Sequence, residues 1–232
     1  MDITEFDYDI LPDYPFICLV SRRRSGKSTA ILDITYSYFI KKKKYRRIYI
    51  FCPTARLTND YKFIQDEYIY DDLNEDDIDD IFESQKRDIQ NDPKSKHLNT
   101  LLIFDDVTNS LDRKKIDLIG KVSAMGRHLR CSVLFASQSR FNREVSPLIR
   151  ANLDLLILWK QSNYETIKDI AQMWLGGSID NKKEAIQIVE NVPHKFRSMV
   201  IDNSVTENKI TDYVYHYTFK LNSIPKDYKF YR

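Results

Sequence analysis

Lys27, Ser28 and the consecutive carboxylates Asp105 and Asp106 are the residues of this chain whose types and setting suit phosphate chemistry. Lys27 and Ser28 belong to the run Ser21-Arg22-Arg23-Arg24-Ser25-Gly26-Lys27-Ser28-Thr29, which follows a short apolar stretch and precedes a helix-forming one. Strand, tight loop and helix make the setting of a phosphate-binding loop. Backbone N–H groups and the positive end of the helix dipole face the phosphates there. Lys27 would reach the β- and γ-phosphates of ATP, and Ser28 would place its hydroxyl on Mg²⁺ with Thr29 behind it. All nine residues are candidates for nucleotide contact. Position 21 holds serine where this loop type has its first glycine, and a Cβ disfavours some backbone conformations open to glycine. A departure in the shape of the loop is therefore expected. Lys27, as an exposed loop lysine, is expected to contribute little to the core.

The second anchor is Thr100-Leu101-Leu102-Ile103-Phe104-Asp105-Asp106. An apolar run ending in two carboxylates describes a buried parallel strand whose C-terminal end opens onto a ligand crevice. Asp105 would hold Mg²⁺ through water. Asp106 would orient or deprotonate an attacking water. The pair also suits a helix cap after a core strand. A third polar strand end is Ser137-Gln138-Ser139, after Cys131–Ala136. If that strand lies between the other two, Gln138 points at the γ-phosphate, although a glutamine there also suits a turn.

The elements that must carry these residues are legible in the apolar pattern. Phe16–Val20, Arg47–Cys52, Thr100–Asp106, Cys131–Ala136 and Leu153–Trp159 read as five strands, and 196–201 and 213–219 as two more. The last alternates aromatic and polar residues, as an edge strand does. Helices are expected from the phosphate loop to about Ile40, over Lys114–Met125, and over 162–175 and 180–191 with Gly176-Gly177 between. Residues 1–15 read as an arm, and 16–160 as a core carrying a charged peripheral insert at 57–95. Residues 161–232 read as an α/β extension of the same domain. The insert is expected to be helical in two pieces, with a thin apolar stripe of Ile64, Ile69, Leu73, Ile78, Ile81 and Phe82.

Composition narrows the class. The length of 232 residues suits one α/β domain. No apolar stretch approaches the ~20 residues of a membrane span, and the acidic start is not that of a signal peptide. Cys18, Cys52 and Cys131 each fall in an expected strand without paired spacing, which points to buried reduced thiols in an intracellular protein. The net charge of +2 conceals an asymmetry: residues 1–15 carry five acids and residues 66–83 ten, with no Lys or Arg in either. All 36 basic residues lie outside these runs. That balance is compatible with a polyanionic partner, while the acidic runs themselves read as solvated faces. Lys41-Lys42-Lys43-Lys44 and Tyr45-Arg46-Arg47 would form either a solvated helix end or a contact to a DNA backbone.

Taken in order, Ser-Gly-Lys-Ser-Thr, Leu-Ile-Phe-Asp-Asp, Gly-Arg-His-Leu, Ser-Gln-Ser and Leu-Ile-Arg-Ala-Asn resemble the viral DNA-packaging ATPases of the FtsK–HerA superfamily, those of poxviruses and other nucleocytoplasmic large DNA viruses in particular. The resemblance covers about residues 16–160. It implies an α/β P-loop NTPase fold (ASCE class, RecA-like core) with a mostly parallel central sheet and helices on both faces. The implied strand order is fifth, first, fourth, third, second. The implied function is a homo-oligomeric ring, pentamer or hexamer, that uses ATP and Mg²⁺ to drive double-stranded DNA into a capsid. Capsid or portal-like vertex proteins would be its partners, and the host cytoplasm or the virion its location. Carried over by position, Lys27, Ser28, Asp105 and Asp106 form the nucleotide and magnesium site, and Gln138 matches a sensor glutamine. Arg150 falls where an arginine acts on a neighbouring subunit's nucleotide, with Arg127, Arg140 and Arg143 as rivals. Asp106 stands where many members have glutamate. A nucleoside or nucleotide kinase would need an arginine-bearing lid that Gly126-Arg127-His128-Leu129 does not supply, and a nucleotide-binding scaffold would not need both aspartates.

Overall fold

A computed structural model describes residues 3–22, 24–95, 98–107, 113–137, 144–177, 179, 181–192, 197–205 and 209–230. One eight-stranded sheet organises them. Its strands are β1 (Phe16–Val20), β2 (Arg47–Phe51), β3 (Ile69–Tyr70), β4 (Thr100–Asp105), β5 (Cys131–Ser137), β6 (Leu155–Leu158), β7 (Arg197–Asp202) and β8 (Val214–Thr218). The spatial order is β3-β2-β4-β5-β1-β6-β7-β8. The first six run parallel, and β7 and β8 are antiparallel additions. The order β6-β1-β5-β4-β2 is the one the resemblance implies.

Side chains alternate between the two faces of a strand, and β1 shows how that divides the core. Ile17 and Leu19 face α1 (Lys27–Asp33), which continues in a wider π register over Ile34–Lys42. Phe16, Cys18 and Val20 face the opposite layer. That layer contains α2 (Glu75–Asn91), α3 (Arg113–Met125), α4 (Pro147–Asn152), α5 (Tyr164–Ile170, with a π extension over Ala171–Leu175) and α6 (Lys182–Glu190). Parallel strands covered on both faces account for the near-continuous apolar runs in the sequence. The three cysteines are free and buried, Cys18 in β1, Cys131 in β5 and Cys52 just past β2.

The segment 57–95 differs from the expected pair of helices. It has one long helix, α2, and ahead of it a turn-rich stretch and the two-residue strand β3, which pairs with Ile50 and Phe51. Tyr61, Phe63, Ile64 and Ile69 pack on the α1 face, while Leu73, Ile78, Ile81 and Phe82 pack on the other. The insert therefore wraps the β2 edge from one face to the other. Its acids meet basic partners: Asp72 pairs with Lys115, and Glu75 and Asp79 with Lys121.

The two ends of the chain close the opposite edge. Glu5 bridges to His216 of β8, and Phe6 N–H donates to the His216 carbonyl at 2.8 Å. Phe6, Tyr8 and Leu11 are buried, and Asp7 and Asp9 pair with Lys42 at the end of the α1 helix. Beyond β8 the chain crosses the outer face of α1. Lys220 N–H donates to the buried Asp33 carboxylate at 3.0 Å, and Phe230 N–H reaches the Phe63 carbonyl at 2.7 Å.

Candidate nucleotide site

The C-terminal ends of β1, β4 and β5 converge because the three strands are parallel and adjacent. The phosphate loop leaves β1 there. Ser21, the first loop residue, is buried and donates its N–H to the Ser137 carbonyl at 3.2 Å. Among the described loop residues the left-handed ones are Arg24 (φ 61°) and Gly26 (φ 98°), and Ser21 is not one of them. A serine therefore fits position 21 without backbone strain, and the expected penalty of losing the first glycine does not arise at this position. The Ser25 hydroxyl closes the loop by donating to the Arg22 carbonyl at 2.7 Å. Gly26 is the N-cap of α1, and its carbonyl accepts from Ala30 N–H. Lys27, Ser28 and Thr29 form the first turn, so the free N–H groups of the helix face the loop's hollow.

Lys27 is held between the two carboxylates. Its ammonium donates to Asp106 Oδ1 at 2.6 Å and lies 3.0 Å from Asp105 Oδ1. The side chains of Lys27 and Asp105 are only 10% and 6% exposed, against 25% for Asp106. The expectation of an exposed lysine with little structural part is thus corrected: Lys27 neutralises a buried pair of acids. Asp105 Oδ2 accepts a hydrogen bond from the Tyr61 hydroxyl at 3.0 Å. Asp106, one residue past β4, has a left-handed backbone (φ 56°) that turns its carboxylate toward the same lysine. Such a conformation is uncommon outside glycine, although aspartate tolerates it better than most residues.

The charges are coupled. Burial raises the Asp105 carboxyl above its ordinary range; Lys27 opposes that rise, Asp106 adds to it, and the Tyr61 hydrogen bond opposes it. Burial by itself would lower the Lys27 ammonium, but Asp105 and Asp106 outweigh it and the net shift is upward. Two negative groups on one ammonium leave a demand for more positive charge. Asp105 Oδ1 is served by the shared lysine alone, and the buried Ser21 Oγ has no hydrogen bond among the described residues. A hydroxyl at Ser28, a carboxylate at Asp105 and an excess of negative charge suit a hard cation of the Mg²⁺ type.

The other expected residues divide as follows. Arg22 and Arg24 are exposed on the loop. Arg150 is on α4, which leads into the N-terminal end of β6, and its Nη1 donates to the Val145 carbonyl at 3.2 Å. Arg127 lies at the N-terminal end of the sheet, bonded to Asp154 Oδ1 at 2.6 Å. Arg23, Gln138, Arg140 and Arg143 lie outside the described residues. Two polar residues at the site have no counterpart among the sequence candidates. Tyr61 sits in the charged insert, where only its aromatic neighbour Phe63 hinted at burial. Glu144 is buried and accepts from Ser137 Oγ at 2.6 Å at the end of β5.

Comparison with known proteins bears on the family and the fold. An uncharacterized protein of Acanthamoeba polyphaga mimivirus is 26% identical over 225 residues, covering 92% of this chain and 76% of that protein. Among solved structures, the genome packaging NTPase B204 from Sulfolobus turreted icosahedral virus 2, in complex with sulfate, superimposes with a TM-score of 0.62. It is 18% identical and covers 91% of this chain and 99% of its own. The pCW3 conjugation coupling protein TcpA with ATPγS is more distant, at a TM-score of 0.58 and 12% identity over 90% of this chain and 61% of that one. These structural likenesses establish the fold, an α/β fold with a mostly parallel central sheet. The Poxvirus A32 protein family model matches residues 3–220, nearly the whole chain, and the chain belongs to that family.

Proposed function

We propose that this chain is an ATPase whose hydrolysis cycle drives double-stranded viral DNA into a capsid. The observation that carries the reading is Lys27 suspended between Asp105 and Asp106, at the strand ends beside a phosphate loop. An ammonium so placed exchanges two carboxylates for the β- and γ-phosphate oxygens when ATP binds. Ser28 and Asp105 would hold Mg²⁺, which when bound offsets phosphate charge. Asp106, released from Lys27, accepts a hydrogen bond from a water and takes its proton. The water oxygen attacks the γ-phosphorus as the bond to the bridging β-phosphate oxygen breaks, giving ADP and inorganic phosphate. The names of the relatives support the class: B204 is a genome packaging NTPase, and its structures include complexes with ATPγS and AMPPCP.

Ring assembly, five or six subunits around DNA, belongs to the same proposal, as do capsid-vertex partners and action at a cytoplasmic assembly site. Among the described residues no helix is long and apolar enough to cross a membrane. Gln138 is proposed as the γ-phosphate sensor. Arg150 is proposed as the residue that reaches a neighbour's nucleotide. In support, among the described residues its side chain meets a main-chain carbonyl and no carboxylate, so its charge stays available. Lys42 is already paired with Asp7 and Asp9, which shifts the DNA contact toward other basic surface.

ATP turnover measured with duplex DNA and with nucleosides, alongside the native mass of the assembly, tests this reading. Stimulation by duplex DNA of any sequence, falling steeply with salt, is expected. Stimulation by a nucleoside with phosphate transferred to it would replace the motor with a kinase.

A further inference from the structure

We propose that Tyr61 is a positioning residue for Asp105, and that the C-terminal segment Phe219–Phe230 holds it in place. The inference rests on the ATPase reading above. Asp105 has two oxygens, one near Lys27 and one bonded to Tyr61. If Lys27 moves to the phosphates, the Tyr61 hydroxyl is the hydrogen bond that remains on the Asp105 carboxylate among the described residues. Tyr61 is suited to that task. It is 2% exposed, and its ring is packed among Phe63, Ile64 and the α1 face. Among the described residues its hydroxyl donates to Asp105 alone.

What seats Tyr61 is unusual. Residues 59–65 form turns and not a strand or helix, so no regular ladder anchors them. Apart from local bonds to Ala55, Thr58 and Tyr68 and the Tyr61–Asp105 bond, two long-range bonds tie them to the C-terminal segment. Phe230 N–H donates to the Phe63 carbonyl, and Lys229 Nζ donates to the Lys62 carbonyl at 2.6 Å. The Tyr228 ring packs edge-on against Tyr36 of the α1 helix at 5.1 Å and tilts against Phe63 at 6.4 Å. The other end of the segment is fastened at Asp33 by Lys220 N–H. Between these anchors the segment stands off α1 and leaves a cavity of about 380 Å³, lined by Thr29, Leu32, Asp60 and Lys226 among others. A strap fixed at two points thus spans the phosphate-loop helix and presses on the turn that presents Tyr61. Movement of the strap is transmitted to the carboxylate.

A double-mutant cycle on full-length protein tests this. Tyr61→Phe keeps the ring and removes the hydroxyl; turnover should fall about tenfold, as expected for one hydrogen bond to a charged group. Thermal stability should fall as well, because a buried carboxylate oxygen loses its partner, so turnover is read per folded molecule. Tyr228→Ala should lower turnover in the same direction, and the double variant should be no slower than Tyr61→Phe alone, because both act through one bond. A readout free of turnover is the affinity for ADP with and without Mg²⁺. Tyr61→Phe should reduce the tightening that Mg²⁺ gives and leave the Mg²⁺-free affinity unchanged. Wild-type Mg²⁺ tightening in Tyr61→Phe would overturn the role of Tyr61, and additive losses in the double variant would overturn the role of the strap. An inactive wild type in the presence of DNA would instead refute the ATPase reading, while the ADP measurement would still decide the positioning claim.

Discussion

The two ends of the central sheet each hold a carboxylate bonded to a basic side chain, and they use it differently. At the N-terminal end, Asp154 accepts from Phe16 N–H at 2.8 Å through one oxygen and from Arg127 at 2.6 Å through the other. Every demand of that carboxylate is met, and its job is to fix the start of β1 beside β6. At the C-terminal end one lysine serves two acids, one acid has a left-handed backbone, and the buried Ser21 hydroxyl has no hydrogen bond among the described residues. A satisfied carboxylate is a structural fastener. An over-subscribed lysine beside a phosphate loop is poised to change partners, and that makes a site.

The largest expected break in this comparison is Lys27→Ala. Turnover should drop by at least ~10²-fold, the cost of removing a donor aimed at transition-state charge. Stability should also fall, by about 3 kcal/mol at neutral pH, because an uncompensated buried carboxylate is left behind. Chemical denaturation alongside the activity assay checks both. A smaller effect separates the two acids. Asp106→Asn should bind ATP with Mg²⁺ and hydrolyse it ~10²-fold more slowly, whereas Asp105→Asn should chiefly raise the Mg²⁺ concentration needed for half-maximal turnover. Identical profiles would show that the two carboxylates share one role.

The smallest effect is alkaline. Burial holds the Tyr8, Tyr61 and Cys18 groups well above their ordinary values of 10.0, 10.0 and 9.0, and takes Cys131 and Tyr217 to about 12. Folded values lie above unfolded ones, so the unfolded chain releases protons first as pH rises. The stabilisation is complete below about pH 9 and is lost toward pH 12, at up to ~1.4 kcal/mol per pH unit for each group titrating. Denaturation midpoints from pH 7 to 11 should decline in this way, and Tyr61→Phe should flatten the decline. A flat profile in the wild type would contradict the burial of these groups.

What the sequence disclosed follows from how locally each feature is encoded. The strands that lead into the phosphate loop and into Asp105 are continuous apolar runs meeting polar residues, and their reading needs no neighbour. The strand order came with the resemblance and agrees with the sheet. β3 escaped because two residues, Ile69 and Tyr70, carry no period, and their pairing is decided by Ile50 and Phe51 far away in the chain. Tyr61 escaped for the same reason: its hydroxyl meets a carboxylate 44 residues on. The asymmetry of charge was visible, but not that the acidic insert would be answered by Lys115 and Lys121 of α3 or the acidic arm by Lys42. Serine at position 21 looked like a defect only because the left-handed positions of the loop were assumed to include it.

The most direct test of the contrast between the sheet ends is ATP turnover per folded molecule for Asp154→Ala and Lys27→Ala, side by side with duplex DNA and Mg²⁺. Asp154→Ala leaves the Phe16 N–H unpaired and should lose about 2 kcal/mol of stability, with turnover per folded molecule near wild type. Lys27→Ala should be at least ~10²-fold slower in the same assay. Comparable turnover in the two variants would contradict the assignment of the C-terminal end of the sheet as the site of hydrolysis.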